Sequence, residues 1–416
     1  MKTTGRALLP RTLGALSLLA LALCAHAQNR PPQAQAWIDV ATFSGQGMPM
    51  GGMGGGGGNP MAALGSLFGG GGGGGANAFG HTQTGSAGHW VDVTLSTRAN
   101  PSLGEAQQAV PAGFLSPALK LQAPKETRGR VPDNDEAVVE PETEKPQGRI
   151  LLYWGCGSAV RSGQPKVLDM ANTSAADMTR FFVSRRATQR GTHQAAGRPV
   201  WPSQPDARMV PATASLAGEH SFSGAGVPAS FRFQIAAAQD LMPALNLQTQ
   251  DSGGATQLNW TGAPTARAYF ASAMGSNERN EMVLWTSSEQ PDTGMGLVDY
   301  QTNAAVDRWL REKVLLAPST TSCTVPKDVL GEGGMLRVIA YGSELNLTDP
   351  PRPANASAAW EPVWAVKVRV KSVASAMNGM PGMNEPASRS GESPSPTEPA
   401  GPGGSPLNIL RGILGR

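Results

Sequence analysis

The sequence predicts a mainly β chain built as an antiparallel β-sandwich with a second β-rich region, interrupted by short helices and by long segments that cannot build a core. Two observations carry this. From residue 243 onward, short apolar or strand-forming runs recur at Leu245–Leu247, Leu258–Trp260, Ala268–Ala271, Met282–Trp285, Leu336–Ala340 and Val363–Val370, separated by turns rich in Gly, Pro, Asn and Asp. Upstream, Trp37-Ile-Asp-Val-Ala-Thr-Phe43 is echoed by Trp90-Val-Asp-Val-Thr-Leu-Ser96, as expected of two strands of one sheet joined by an insertion. The expected organisation is a leader over 1–27, an N-terminal strand with a Gly/Met-rich segment over 28–85, a β-rich region over 86–242 containing an acidic linker at 125–149, a sandwich domain over 243–373, and a tail over 374–416.

The leader reading rests on three parts. Lys2, Arg6 and Arg11 give a positive start, Leu13 to Leu23 an apolar core too short to span a bilayer, and Ala25-His26-Ala27 a small-x-small cleavage pattern that leaves Gln28 first. The arginines are not adjacent, which points to general secretion rather than a twin-arginine route. A lipoprotein reading centred on Cys24 is disfavoured by Leu23, where a small residue is wanted. The expected location is therefore periplasmic or secreted, in a bacterial-type envelope, with no transmembrane span after cleavage. Removing three of the 34 basic residues and none of the 31 acidic ones leaves the remainder formally neutral. Nothing in it resembles the basic stripe that a nucleic-acid binder needs, so no nucleic-acid partner is expected.

Cleavage also removes Cys24 and leaves Cys156 and Cys323. Two cysteines in an oxidising compartment are expected to pair, closing a loop of 167 residues. Neither belongs to a Cys-x-x-Cys motif, which argues against thiol chemistry.

Fifteen of the 25 residues from 51 to 75 are glycine, so this tract is expected to be disordered: ordering glycine costs the most backbone entropy and buries little side chain. Six carboxylates between Asp133 and Glu144 read as a solvated linker without calcium-loop spacing. Ile150-Leu-Leu-Tyr-Trp154 is a strongly apolar strand. Ser174 and Asp177 form a capping box that opens a short helix, and Phe231, Phe233 and Ile235 alternate as in a half-buried strand. A second helix is expected from Ala304 to Leu316, ended by Pro318. In the last run, Trp364, Val366, Val368 and Val370 alternate with Lys367, Arg369 and Lys371, as in a sheet with one wet, basic face.

Leu258-Asn-Trp260, then Pro264, then Tyr269 nine residues after the tryptophan, resemble the start of a fibronectin type III or immunoglobulin-like sandwich. The resemblance implies that Trp260 plugs the space between two sheets with Tyr269 packed beside it, and it names these two as core. It covers about 30 residues. The helix after 304 is an insertion relative to that pattern, and Cys156 and Cys323 do not match an immunoglobulin pair.

No serine-nucleophile elbow, Walker loop, zinc spacing or metalloprotease motif is present. Adjacent Glu219, His220 and Ser221 alternate faces in a strand and so form no triad. The expected activity is therefore non-catalytic: an envelope protein acting through protein or surface contacts, with no cofactor and an unidentified partner. Two alternatives stay open. Met48, Met50 and Met53, with Met377, Met380 and Met383, resemble the Met-rich motifs of exported copper-handling proteins, which implies Cu(I) or Ag(I) as ligand. A glycan-binding module is the other, should tryptophans lie exposed. At the C-terminus, Leu407, Leu410 and Leu414 have helical spacing and suggest a docking element on a tether.

Overall fold

The computed structural model describes residues 30–45, 77–84, 86–125, 148–187, 191–279, 281–331, 333–354 and 360–379. The leader, the Gly-rich tract, Met48, Met50, Met53, Met380, Met383, most of the acidic linker and the Leu407/Leu410/Leu414 tail lie outside them. In chain order the strands are β1 (Ala34–Gly45), β2 (Gly88–Thr97), β3 (Glu105–Ala109), β4 (Ala118–Gln122), β5 (Arg149–Trp154), β6 (Lys166–Asp169), β7 (Val200–Trp201), β8 (Gly218–Gly224) and β9 (Arg232–Ile235), followed by β10 (Gln248–Ser252), β11 (Ala255–Asn259), β12 (Ala268–Ser276), β13 (Met282–Thr286), β14 (Ser322–Val325), β15 (Met335–Tyr341), β16 (Leu345–Asp349) and β17 (Trp364–Met377). Three short helices join them: α1 (His81–Thr84), α2 (Ala175–Phe181) and α3 (Asn303–Arg311).

The second half forms the sandwich. Strands β10, β11 and β14 make a three-stranded sheet, while β13, β12, β15 and β17 lie in that order in the large sheet. Leu258, Cys323 and Val325 from the small sheet share one apolar core with Tyr269, Ala271, Val338, Val366 and Val368 from the large one. This division of strands between sheets resembles the immunoglobulin-like arrangement. Gly253 and Gly254, both at positive φ, make the two-residue turn joining β10 to β11.

The large sheet does not stop at the sandwich. Its order is β6-β5-β13-β12-β15-β17-β1-β2-β7-β4-β3-β8-β9, with β16 also pairing β17. The first strand of the chain is thus an interior strand, between the last strand and the second half of the sheet. The expected antiparallel pattern holds at most junctions, but β1 pairs β17 in parallel over twelve residues and β5 pairs β13 in parallel. Strand β1 can do this because Ile38 and Val40 point into the core while Asp39 and Ala41 face the other side, and both sets are buried.

Three local expectations are corrected. Leu245 and Leu247 are buried but not in a strand, which begins at Gln248. The segment enters the core as extended chain, and its apolar side chains alone looked like a strand. The helix expected to reach Leu316 ends at Arg311: Lys313 sits at φ +56° and turns the chain, so that Leu316 exchanges backbone hydrogen bonds with Tyr269 (3.0 and 2.8 Å). The basic face of β17 is not wet. Arg369 and Lys371 are 3% and 1% exposed, because the 289–301 segment and the returning 191–193 segment cover them. The capping box of α2 is present, with Asp177 N–H donating to Ser174 Oγ at 3.2 Å and Ser174 N–H donating to Asp177 Oδ2 at 3.2 Å.

Candidate functional site

A buried polar cluster lies where β1, β2 and β17 meet. Because side chains alternate along strands, the register places Asp39 opposite both Asp92 on β2 and Arg369 on β17. All three side chains point to the face away from the sandwich core. Arg369 donates to both Asp39 oxygens at 2.6 Å, and Thr192 donates its hydroxyl at 2.7 Å and its backbone N–H at 3.3 Å to Oδ2. Gly191 leaves room for this pair: a Cβ there would press on the Arg369 guanidinium that Asp39 holds in place.

Asp92 is 1% exposed, and its hydrogen-bond partners are the turn that opens α1: Gly80 N–H donates at 2.9 Å, Thr82 N–H at 3.2 Å, and the Thr82 hydroxyl also binds it. Burial dominates its proton affinity and lifts its pKa to about 7, against the pull of those hydrogen bonds, with the neighbouring Asp39 charge adding to the rise. Asp92 thereby seats the returning end of the Gly-rich insertion on the sheet. His81 packs edge-on against Trp90 at 4.4 Å, and Trp90 donates its indole N–H to Ser86 O at 2.7 Å, closing the same seat.

Beside the carboxylates, cations of β17 alternate with aromatic rings. Lys367 and Arg369 each sit 5.4 Å from the Trp37 ring. Arg369 and Lys371 sit 4.5 and 4.4 Å from Tyr300, and Lys371 lies 6.0 Å from Phe43. Tyr300 comes from the covering segment, so the ladder ties that segment to the sheet. Burial alone would lower the Arg369 pKa, but the charge and hydrogen bonds of Asp39 prevail and raise it. Lys371 donates a long hydrogen bond to Val298 O (3.4 Å), and burial lowers its pKa to about 8. Burial likewise raises Tyr300 well above the usual phenol range. The cluster is enclosed, and what this arrangement does is hold the first strand, the last strand and two covering segments in one position.

Cys156 and Cys323 are bonded, with Cα atoms 5.3 Å apart. The bridge ties the turn after β5 to β14, backed by Gly157 N–H donating to Thr324 O at 3.0 Å. Trp260 and Tyr269 are buried with ring centroids 5.6 Å apart, and the Tyr269 hydroxyl accepts from Ala263 N–H at 2.8 Å. Of the two methionine groups only Met377 is described, at the end of β17. His220 is buried inside β8 between Gln108 (3.1 Å from Nδ1) and Leu216 O (2.7 Å from Nε2), while Glu219 faces solvent. Burial lowers its pKa.

One open groove of about 400 Å³ runs over the wet face of β3, β4 and β8, lined by Glu105, Gln107, Lys120, Gln122, Pro205 and Ser223. Six of the nine tryptophans are buried, and none lines it. Among the described residues no group of three His, Cys, Asp or Glu side chains is placed to hold a metal ion, and no helix is long and apolar enough to cross a membrane.

Sequence reasoning missed the cluster because it read β17 as half-wet. The signal was present in the paired Trp-x-Asp-Val segments, whose aspartates become direct cross-strand neighbours. Tyr300 and Thr192 carried no such signal, since they arrive from irregular segments, and Thr82 sits in a helix of only four residues with no apolar periodicity to mark it. No protein-family model matches the sequence, and no curated protein matches it.

Proposed function

We propose that this is an exported, non-catalytic protein of the cell envelope that works by contact with another protein or surface. The observation that carries the reading is the Cys156–Cys323 bond: two cysteines 167 residues apart meet in bonding position, which suits an oxidising compartment and agrees with the leader-like first 27 residues. The groove over β3, β4 and β8 is the surface assigned to contact. Its amides, one carboxylate and one ammonium suit a polar, hydrogen-bonding partner.

Two measurements test this. Mass spectrometry of native protein from a fractionated source should give an N-terminus at Gln28 and a periplasmic or secreted location; an intact Met1 in the cytosolic fraction refutes export. Crosslinking from the native envelope should recover a partner that Gln107→Ala with Lys120→Glu releases while the melting temperature holds. An unchanged crosslink profile removes the groove from the reading.

A further inference from the structure

We propose that the methionine layer beneath α2 is a site of reversible oxidation: peroxide converts its thioethers to sulfoxides, and the change lifts α2 off the large sheet. This holds whatever the groove over β3, β4 and β8 contacts. Six of the nine described methionines, Met170, Met178, Met274, Met282, Met295 and Met335, gather in one small apolar cluster. Among the described residues, the much larger core between the two sheets holds Met242 as its one methionine, and the cluster around Trp309 holds none. The sulfur is therefore concentrated in one layer rather than spread through the apolar interior. The register sets Met335, Met274 and Leu284 in one row across β15, β12 and β13, with Met282 beside Ile150. Met178 from α2 and Met295 from the covering segment pack against the same cluster and so join the cover to the sheet.

Access is graded. Met170, Met178, Met274 and Met295 are half-buried, whereas Met282 and Met335 are 7% and 8% exposed. A small oxidant thus meets the rim of the layer first. The two described cysteines are bonded to each other, which leaves thioethers as the described sulfur open to a two-electron oxidant. In each step the sulfur lone pair forms an S–O bond as the peroxide O–O bond breaks; the sulfide is oxidised and the peroxide reduced to water. The product replaces a soft apolar group by a polar S=O acceptor, and burying such an acceptor without a donor is unfavourable. The cover has little else to hold it, since no residue of α2 is buried and its capping box is internal. Its ends are fixed. Met170 N–H donates to Gly148 O at 2.9 Å, Arg185 N–H donates to Met295 O at 2.7 Å, and the Arg185 guanidinium pairs with Asp292 and Glu312. Residues 171–184 can therefore open between two anchors, uncovering Ile150, Leu152 and Leu284, an apolar surface that the unoxidised protein keeps hidden.

The test is exposure of the full chain to hydrogen peroxide. Peptide mass spectrometry places each added oxygen, hydrogen exchange follows residues 171–184, and a dye that fluoresces on apolar surface reports the opening. Oxidation of Met178 and Met295 should speed exchange there at least about tenfold and raise the dye signal. Methionine sulfoxide reductases should reverse both changes. Met178→Leu with Met295→Leu, which conserves volume and cannot be oxidised, should keep both readings at the untreated level. Met209, 45% exposed and outside the cluster, is the control: it should oxidise readily, and Met209→Leu should leave the response intact. Four results overturn the proposal: Met178 and Met295 resisting peroxide that oxidises Met209, their oxidation with exchange and dye signal unchanged, a response that persists in the double leucine variant, or one that the reductases do not reverse.

Discussion

Asp39 and Arg369 meet through two hydrogen bonds of 2.6 Å across β1 and β17, although 330 residues of chain separate them. Both side chains are nearly inaccessible, at 0% and 4% exposure. Removing one partner strands the other as a buried charge, which costs about 3–5 kcal/mol. Arg369→Met should therefore lower the unfolding free energy by that amount in urea titrations. Asp39→Leu combined with Arg369→Met should recover part of the loss. A single substitution costing under about 1 kcal/mol would mean that water enters the cluster.

Asp92 sets a pH dependence. Its folded pKa, about 7, lies above its ordinary value of 3.8. Its contribution to stability is thus fully present below the unfolded value and is lost as pH rises through about 7. Lys371 acts in a different window: with a folded pKa near 8 against 10.5, its contribution is present at high pH and lost as pH falls through about 8. Urea titrations between pH 4 and 7 should therefore show an Asp92-dependent decline with rising pH, flattened in Asp92→Asn. An identical pH slope in that variant would refute the assignment.

The disulfide should contribute substantially. Closing a 167-residue loop is worth about 4–5 kcal/mol in the chain-entropy model, less any strain. Cys156→Ser with Cys323→Ser should lower the melting temperature, and reductant should bring the unsubstituted protein to the same value. Alkylation of both thiols in native protein without reductant would contradict the bond.

Trp260 closes the space between the small and large sheets against Tyr269. Trp260→Ala should cost about 3–5 kcal/mol by leaving a cavity, read by denaturant titration. Trp154, only half-buried, serves as the comparison: its alanine variant should lose less.

Local patterns made much of the fold legible. The alternation in β9, the capping box of Ser174 and Asp177, and the indole-to-phenol spacing of Trp260 and Tyr269 are each short-range signals, and each has its counterpart in the structure. Weakly apolar strands were not legible. Glu105-Ala-Gln-Gln-Ala109 reads as surface chain, and it becomes a strand because β4 and β8 flank it. The buried cluster was invisible for a related reason. Lys367, Arg369 and Lys371 have the pattern of a solvated face, and only the arrival of Tyr300 and Thr192 from distant irregular segments makes that face interior.

The parallel pairing of β1 with β17 has a consequence for the order of events during synthesis. Strand β1 leaves the ribosome early, yet its hydrogen-bonding partner and the guanidinium that neutralises Asp39 are made some 330 residues later. The early segment must wait with an unsatisfied strand edge and an unpaired carboxylate, because pairings this distant form late and slowly. For a chain exported as proposed, that delay keeps the central sheet from locking before the last strand has been delivered. The polypeptide would thus stay threadable during passage across the membrane and complete its middle only on the far side.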